Sequence, residues 1–449
     1  MADIASKQTT LEALREALDS GTMRQVRRQV TALHPAEIAS LLESLPLPQR
    51  EIIWELVEPD DEGDVLVQVN DEVRSGLIDG MADEELIAAA AGLDLDDLAD
   101  LLLGLPEALN QQIIRSLDAS DRQRLAAVLA YDEDSAGGLM NTDTVTVRRD
   151  VTVEVVLRYL RIKGNIPEDT DAIFVVNRNG KYLGYLYLAR LLTADPEASV
   201  VDLMHTEAPA INAATPASEV AVLFENYDLV SAAVVNDDGV LLGRITVDDV
   251  VDVIREQGEH SLMSMAGLDE DDDMFAPVLI SARRRALWLG VNLATAFLAA
   301  RVVGIFEATL DKVVVLAVLM PVVASMGGIA GSQTLTLMVR GMALGQVGRS
   351  NAGWLLAKET AVGALNGLVW AVVVALVTFA WFRTWEVGAI IAIAIAINLL
   401  FAALAGVTIP LLLRRFGIDP ALAGGVVLTT VTDIIGFGAF LGLGALFLT

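Results

Sequence analysis

The chain is 449 residues long, 54% hydrophobic and free of cysteine, a length for two or three domains and a composition that excludes disulfides and thiolate metal sites. Sixty acidic residues against 31 Lys and Arg leave a formal charge of −29, which argues against a nucleic-acid partner, whose phosphates need Lys and Arg to neutralise them. The charge is uneven: residues 284–449 carry ten Lys/Arg and six acids, a net of +4, so residues 1–283 carry −33. An acidic soluble part, suited to solubility or to holding cations, is joined to an apolar and mildly basic one.

The opening stretch, MADIASKQTT, has no basic segment followed by an apolar one, so no signal peptide is expected and the acidic part should stay in the cytoplasm. Residues 1–135 read as an acidic, all-α helical-repeat domain, with apolar positions at helical period punctuated by Pro and Asp. HPAEIASLLESLP (34–46) aligns with DLDDLADLLLGLP (94–106), and an Ile-Ile pair follows each, at Ile52-Ile53 and Ile113-Ile114. That is the pattern of a helical superhelix.

Residues 136–255 change to α/β character. AIFVVNRNGKYLGYLYL and SAAVVNDDGVLLGRITV read as hairpins turned at Asn179-Gly180 and Asp238-Gly239, each flanked by helical segments. LMNTDTVTVRRDVTVEVVLRYL matches LMHTEAPAINAATPASEVAVLF, so this region is again a repeat. Residues 256–283 form a connecting helix and linker, in which the run Asp269–Asp273 reads as a solvated loop rather than a metal site.

Residues 284–449 read as a five-span α-helical membrane domain, with spans near 284–306, 313–341, 354–382, 387–413 and 420–448. Arg283, Arg284 and Arg285 precede the first span, Arg340, Arg349 and Lys358 bracket the second and third, and Arg414 and Arg415 part the last two. All fall on the side of the soluble half, which puts that half in the cytoplasm and the C-terminus outside.

Asp433 is the only ionisable residue between Ala421 and Leu448. A charge at bilayer depth costs roughly 3 kcal/mol on insertion scales, so Asp433 is read as a cation ligand rather than a buried Asp satisfied by a neighbouring Thr. Thr429, Thr430 and Thr432 supply hydroxyls nearby. Gly327, Gly328 and Gly331 serve either helix packing or pore lining, and both readings stay open. In the acidic half, Asp96 and Asp100 share a helix face, as do Asp249 and Asp252, while Asp228 enters from the loop before the last hairpin. A solvated helix face is the competing reading for any one of these acids. No Gly-x-x-x-x-Gly-Lys motif suggests an ATPase, and the three His (34, 205, 260) lie outside the spans, so an enzyme finds little support.

The duplicated α/β region, ending in Gly243-Arg-Ile-Thr246-Val-Asp248-Asp249, resembles a tandem pair of cystathionine β-synthase (CBS) domains. The whole order of domains resembles the MgtE family of magnesium transporters, most specifically in PVVASMGGIAGSQ (321–333) and DPALAGGVVLTTVTDIIGF (419–437). The resemblance implies a homodimer in the bacterial inner membrane with the ion pathway between subunits and Asp433 at the pore mouth. It also implies regulatory Mg²⁺ bridging the helical domain to the CBS pair, at Asp96, Asp100, Asp228, Asp249 and Asp252, and a further bridge from Glu259 to Asp419. The family writes Gly-Gly-Asn where this chain has Gly327-Gly328-Ile329, which puts any Asn-dependent detail in question. Oxygen ligands suit Mg²⁺ and Mn²⁺, and the general affinity order lets Co²⁺ compete. An adenine nucleotide such as ATP fits Thr246 and Asp249 of the second CBS repeat, whereas the first has Tyr187 and Arg190 in the corresponding places. The alternative is a membrane-anchored metal or nucleotide sensor without transport activity, which would have no use for Asp433.

Overall fold

A computed structural model describes residues 23–164, 166–167, 170–207, 209–268, 272–348 and 350–449. The opening stretch, Asp269–Asp271 of the acidic run, and Arg349 lie outside the described residues. The chain divides into two compact units, residues 1–257 with 271–277, and residues 258–270 with 278–449.

The first unit begins with helices α1 (Met23–Val30), α2 (Pro35–Glu43), α3 (Leu47–Trp54), α4 (Glu62–Gln68), α5 (Asp71–Ile78), α6 (Asp83–Ala90), α7 (Leu95–Leu103), α8 (Glu107–Ser116) and α9 (Ala119–Val128). From Pro35 onward the helix starts fall on multiples of 12 residues, except α4, which starts three late. Four of the junctions share one turn. The last carbonyls of a helix lack intrahelical donors, and a side chain on the following helix supplies them. Arg50 donates to the Leu42 and Leu45 carbonyls at 3.0 and 3.2 Å, and Arg74 to those of Leu66 and Val69 at 2.8 and 3.2 Å. Asn110 reaches Leu102 and Leu105, and Arg122 reaches Ile114 and Leu117, at the same offsets. The 60-residue echo in the sequence is five of these periods.

Two three-stranded sheets follow, β1 (Thr146–Arg148), β2 (Ala172–Val176), β3 (Tyr182–Tyr187), and β4 (Ile211–Asn212), β5 (Ser231–Val235), β6 (Leu241–Thr246). Each has one parallel and one antiparallel pairing, with a register shift at the matching place, Val175/Val176 and Val234/Val235. Helices α10 (Val153–Lys163), α11 (Leu188–Thr193), α12 (Val200–Leu203) and α13 (Ala217–Tyr227) complete the repeats. The hairpins turn at Gly180 and Gly239 with φ of 74° and 77°, the left-handed conformation their Asn-Gly and Asp-Gly dipeptides favour. The Tyr182 N–H donates to the Gly239 carbonyl and the Leu241 N–H to the Gly180 carbonyl, so the two turns pair symmetrically. The last strand runs directly into α14 (Val247–Met265), the expected connecting helix.

The linker corrects one expectation. Asp273 is buried rather than solvated: it pairs with the equally buried Arg50 at 2.9 Å, and its N–H donates to the Glu72 carboxylate at 2.7 Å. A buried guanidinium left without an anion is costly, and Asp273 is the anion that reaches it.

In the second unit, five helices are long and apolar enough to cross a membrane: α15 (Val278–Ile305), α17 (Val314–Ala343), α18 (Ala352–Phe382), α19 (Trp385–Arg415) and α20 (Pro420–Phe447). The short α16 (Glu307–Lys312) joins the first two. The first begins six residues before the expected 284, because Arg283–Arg285 are good helix formers and do not interrupt it. α19 is the central helix, buried at positions along its whole length, and α17, α18 and α20 pack on it. Close approach needs glycine: a methyl group at Gly363 of α18 would sit 2.6 Å from the Ala403 Cβ.

Candidate ion pathway and acidic cluster

Asp433 lies near the middle of α20 and is half-buried. Among the described residues, no hydrogen bond or ion pair reaches its carboxylate. The neighbouring hydroxyls are used elsewhere: Thr429 donates to the Gly425 carbonyl at 3.0 Å, Thr430 to Val426 at 2.7 Å and Thr432 to Thr429 at 3.0 Å. An Asp satisfied by a nearby Thr is therefore not what this helix contains.

α17 packs directly against α20. Gly327 and Gly331 are packing positions on its inner face, where a methyl group would lie 2.2 Å from the Asn398 amide and 2.9 Å from Leu428. Gly328 differs, since a methyl group there would meet nothing within 4 Å. It belongs to an open groove of about 870 Å³ lined by Ser325, Gly328, Ile329, Ser332, Gln333, Thr336 and Leu337, a stripe of polar and apolar side chains along one face of a membrane span. Ile329, where the family writes Asn, is 57% exposed on that stripe.

Several buried polar residues in the spans, among them Asn398 and Glu359, escaped the sequence reading. Asn398 of α19 is fully buried and donates to the Val323 carbonyl at 2.9 Å. Glu359 of α18 is buried, accepts from the Thr334 hydroxyl at 3.3 Å and pairs with Lys358 at 2.6 Å. For Asn398 the available signal was its isolation in an apolar run; Glu359, next to Lys358 and Thr360 near the start of its span, offered none.

In the first unit, the start of α7 faces the start of α14. Asp96, Asp97 and Asp100 on α7 and Asp249 on α14 are each pushed up to about 7, in every case by burial first. Neighbouring carboxylates add to this: Asp97 feels Asp94, Asp100 and Asp249, and Asp100 feels Glu133, Asp96 and Glu256, with Arg74 pulling the other way. Asp97 was not singled out in the sequence, although it sits between two residues that were. Asp96 also accepts from the Asn141 amide at 3.2 Å, and Asp249 accepts the N–H and hydroxyl of Thr246 at 2.9 and 3.0 Å. The Thr246–Asp249 pair thus caps its own helix through Oδ2 alone, which leaves Oδ1 able to accept from a ribose hydroxyl. Asp228 and Asp252 do not join the cluster. Asp228 is an exposed helix end with φ of 49°, and exposed Asp252 pairs with Arg255 at 3.4 Å. No three Asp, Glu or His among the described residues close in ligating geometry, so the cluster is an open acidic face rather than a finished cage.

On the connecting helix, the residue that meets Asp419 is the neighbour of Glu259. His260 Nε2 lies 3.3 Å from Asp419 Oδ2, while Glu259 is exposed. Asp419 also caps α20 by accepting from the Ala421 and Leu422 N–H groups. In the first α/β repeat, Tyr187 meets Tyr185 and His205, and Arg190 lies 3.5 Å from His205 Nε2.

A helical-repeat domain, a duplicated α/β pair and five apolar helices, the last with a single carboxylate in its middle, define a polytopic membrane protein with a sensor-type soluble half. The family model for the MgtE intracellular N domain matches residues 33–134, CBS domains match 136–197 and 200–256, and the MgtE divalent cation transporter matches 320–443. The chain is similar to the magnesium transporter MgtE of Thermus thermophilus, 30% identical over 97% of this chain and 98% of that relative. It is also similar to that of Bacillus subtilis, 28% identical over 96% of each chain. Among solved structures, it is similar to the cytosolic domain of the Mg²⁺ channel MgtE in complex with ATP (34% identity, TM-score 0.49, covering 54% of this chain and 99% of that one). The soluble part of a magnesium transporter matches at 23% identity and TM-score 0.47, covering 56% of this chain and 99% of that one. The chain belongs to the MgtE family of magnesium transporters.

Proposed function

We propose that the chain is a Mg²⁺ channel or transporter of the bacterial inner membrane, acting as a homodimer with its ion pathway on the twofold axis. The observation that carries this is Asp433, a carboxylate in the middle of an apolar span with no intrachain partner among the described residues. A dimer axis would set two copies of Asp433 facing each other, and the groove of α17, a helix that packs against α20, would line the path instead of meeting lipid. Mg²⁺ holds its water shell tightly and prefers oxygen ligands, which two carboxylates and the Thr hydroxyls provide. The same ligands would admit Mn²⁺ or Co²⁺. An inside-negative potential drives a divalent cation inward by about 4.6 kcal/mol per 100 mV, so no coupled ion is needed.

Such a passive path requires a gate. Domain limits near 135, 255 and 283 place the sensor in the acidic half and the connecting helix between sensor and spans. Ionised Asp96, Asp97, Asp100 and Asp249 repel one another, and carboxylates about 4 Å apart do so by roughly 4 kcal/mol at an effective dielectric of 20. Divalent cations at high internal concentration would reverse that sign and favour the compact arrangement, which is the free energy available to close the path. The N-terminal domains are cytoplasmic in this reading and the C-terminus faces outside.

The test is Mg²⁺ uptake by proteoliposomes held inside-negative, with the cytosolic face kept free of Mg²⁺. Uptake by the natural protein and its loss in Asp433→Ala, with the dimer intact, is the expected result. No uptake by either would leave the anchored sensor as the better reading.

A further inference from the structure

Asn398 sits midway along α19 with none of its surface exposed, at the junction of α17, α19 and α20. Its Nδ2 donates to the Val323 carbonyl at 2.9 Å, two residues beyond Pro321, which interrupts the hydrogen-bond ladder of α17. Its Oδ1 is buried and accepts from no described protein group. Two glycines make room for this one amide: a methyl group on Gly327 of α17 would lie 2.2 Å from Nδ2, and one on Gly436 of α20 would lie 2.6 Å from it.

A seam needed only for packing would be filled by apolar side chains, because a half-satisfied amide in an apolar interior is unfavourable. The helices that this amide meets are the two that carry the pathway groups. Gly436 is three residues, less than one turn, from Asp433. Gly327 is adjacent to Gly328 of the open groove. A change of spacing at Asn398 therefore reaches both sides of the path through rigid helix backbone.

We propose that Asn398 is a positioning residue for the ion pathway, setting the spacing between the groove of α17 and the Asp433 carboxylate and so which hydrated divalent cation passes. The inference rests on the pathway reading above. Asn398 touches no permeating ion; it acts through the two helices it joins. Selection between Mg²⁺ and Ca²⁺ depends on cavity size and rigidity, since Ca²⁺ tolerates irregular, larger sites and Mg²⁺ does not.

The experiment compares Mg²⁺ and Ca²⁺ uptake by proteoliposomes of the full chain, inside-negative, for the natural protein, Asn398→Ala, Asn398→Ser, Gly327→Ala and Asn398→Ala/Gly327→Ala. Loss of supporting groups behind a metal ligand commonly costs about tenfold, and a fall of that size in the Mg²⁺:Ca²⁺ uptake ratio is expected for Asn398→Ala, with Asn398→Ser retaining more. Gly327→Ala alone should unfold at lower temperature. The double variant places a methyl group in the space the amide leaves, so its thermal stability should recover while the ratio stays low. Recovery of the natural ratio in the double variant, or an unchanged ratio in both Asn398 variants, would reduce Asn398 to packing and overturn the proposal. Absence of all Mg²⁺ uptake by the natural protein would instead sink the pathway reading, and this inference with it.

Discussion

Asp97→Asn isolates the repulsion in the acidic face, because it keeps the side-chain shape and removes one charge. Burial first, then Asp94, Asp100 and Asp249, push this carboxyl from 3.8 to about 7, a preference for the protonated form of about 4 kcal/mol at 1.36 per unit. Neighbours that swing into water relieve part of this, so the neutral isostere should gain about 1–3 kcal/mol at pH 7.5 without divalent cations. For a unit of this size that is a rise of about 3–10 °C in the midpoint of its thermal transition. The direction with pH is set by the raised folded pKa. The natural protein has the full contribution below about pH 4 and loses it as pH rises through about 7. The advantage of Asp97→Asn should therefore shrink at pH 5 and vanish at still lower pH. Mg²⁺ should raise the midpoint of the natural protein at pH 7.5 more than that of the variant. The assay is calorimetric or fluorescence unfolding of the full chain in detergent at both pH values, with and without Mg²⁺. A variant no more stable than the natural protein at pH 7.5 without cations would refute the reasoning, because Asp97 would then be a structural acceptor rather than a repelled ligand.

The remaining predictions concern contacts that the fold creates. Gly327→Ala should destabilise the membrane unit by about 1–3 kcal/mol through overpacking, whereas Gly328→Ala, with open space around it, should be near neutral or gain several tenths from helix propensity; thermal unfolding separates them. Asp273→Ala leaves the Arg50 guanidinium buried without its anion and should cost about 3–5 kcal/mol, while an apolar replacement of both partners should recover most of it. If the connecting helix is held to the last span through Asp419, His260→Ala should shift the cytosolic Mg²⁺ concentration that halts uptake, and Glu259→Ala should leave it in place. Equal shifts from both would show that their positions on the helix do not decide the contact.

The class of this protein, the order of its parts and the lone carboxylate of the last span follow from the chain alone. Those signals are local: an apolar run long enough to span, a charge within it, Asn-Gly and Asp-Gly turns, and segments that repeat. The 12-residue helix period was only half legible, as its 60-residue echo, because the turn that four of its junctions share uses Arg at three positions and Asn at a fourth for the same bonds. Tertiary structure decided which of several like residues meet. It drew Asp97 and Asp249 into one face and left Asp228 and Asp252 in solvent, since helix spacing says which residues share a side and not what that side packs against. It put His260 rather than Glu259 at Asp419, a one-residue difference of about 100° around a helix. It also split the three glycines of α17, two against neighbouring helices and one in the open groove, and buried Asp273 because Arg50 needed an anion that lies 223 positions away in the chain.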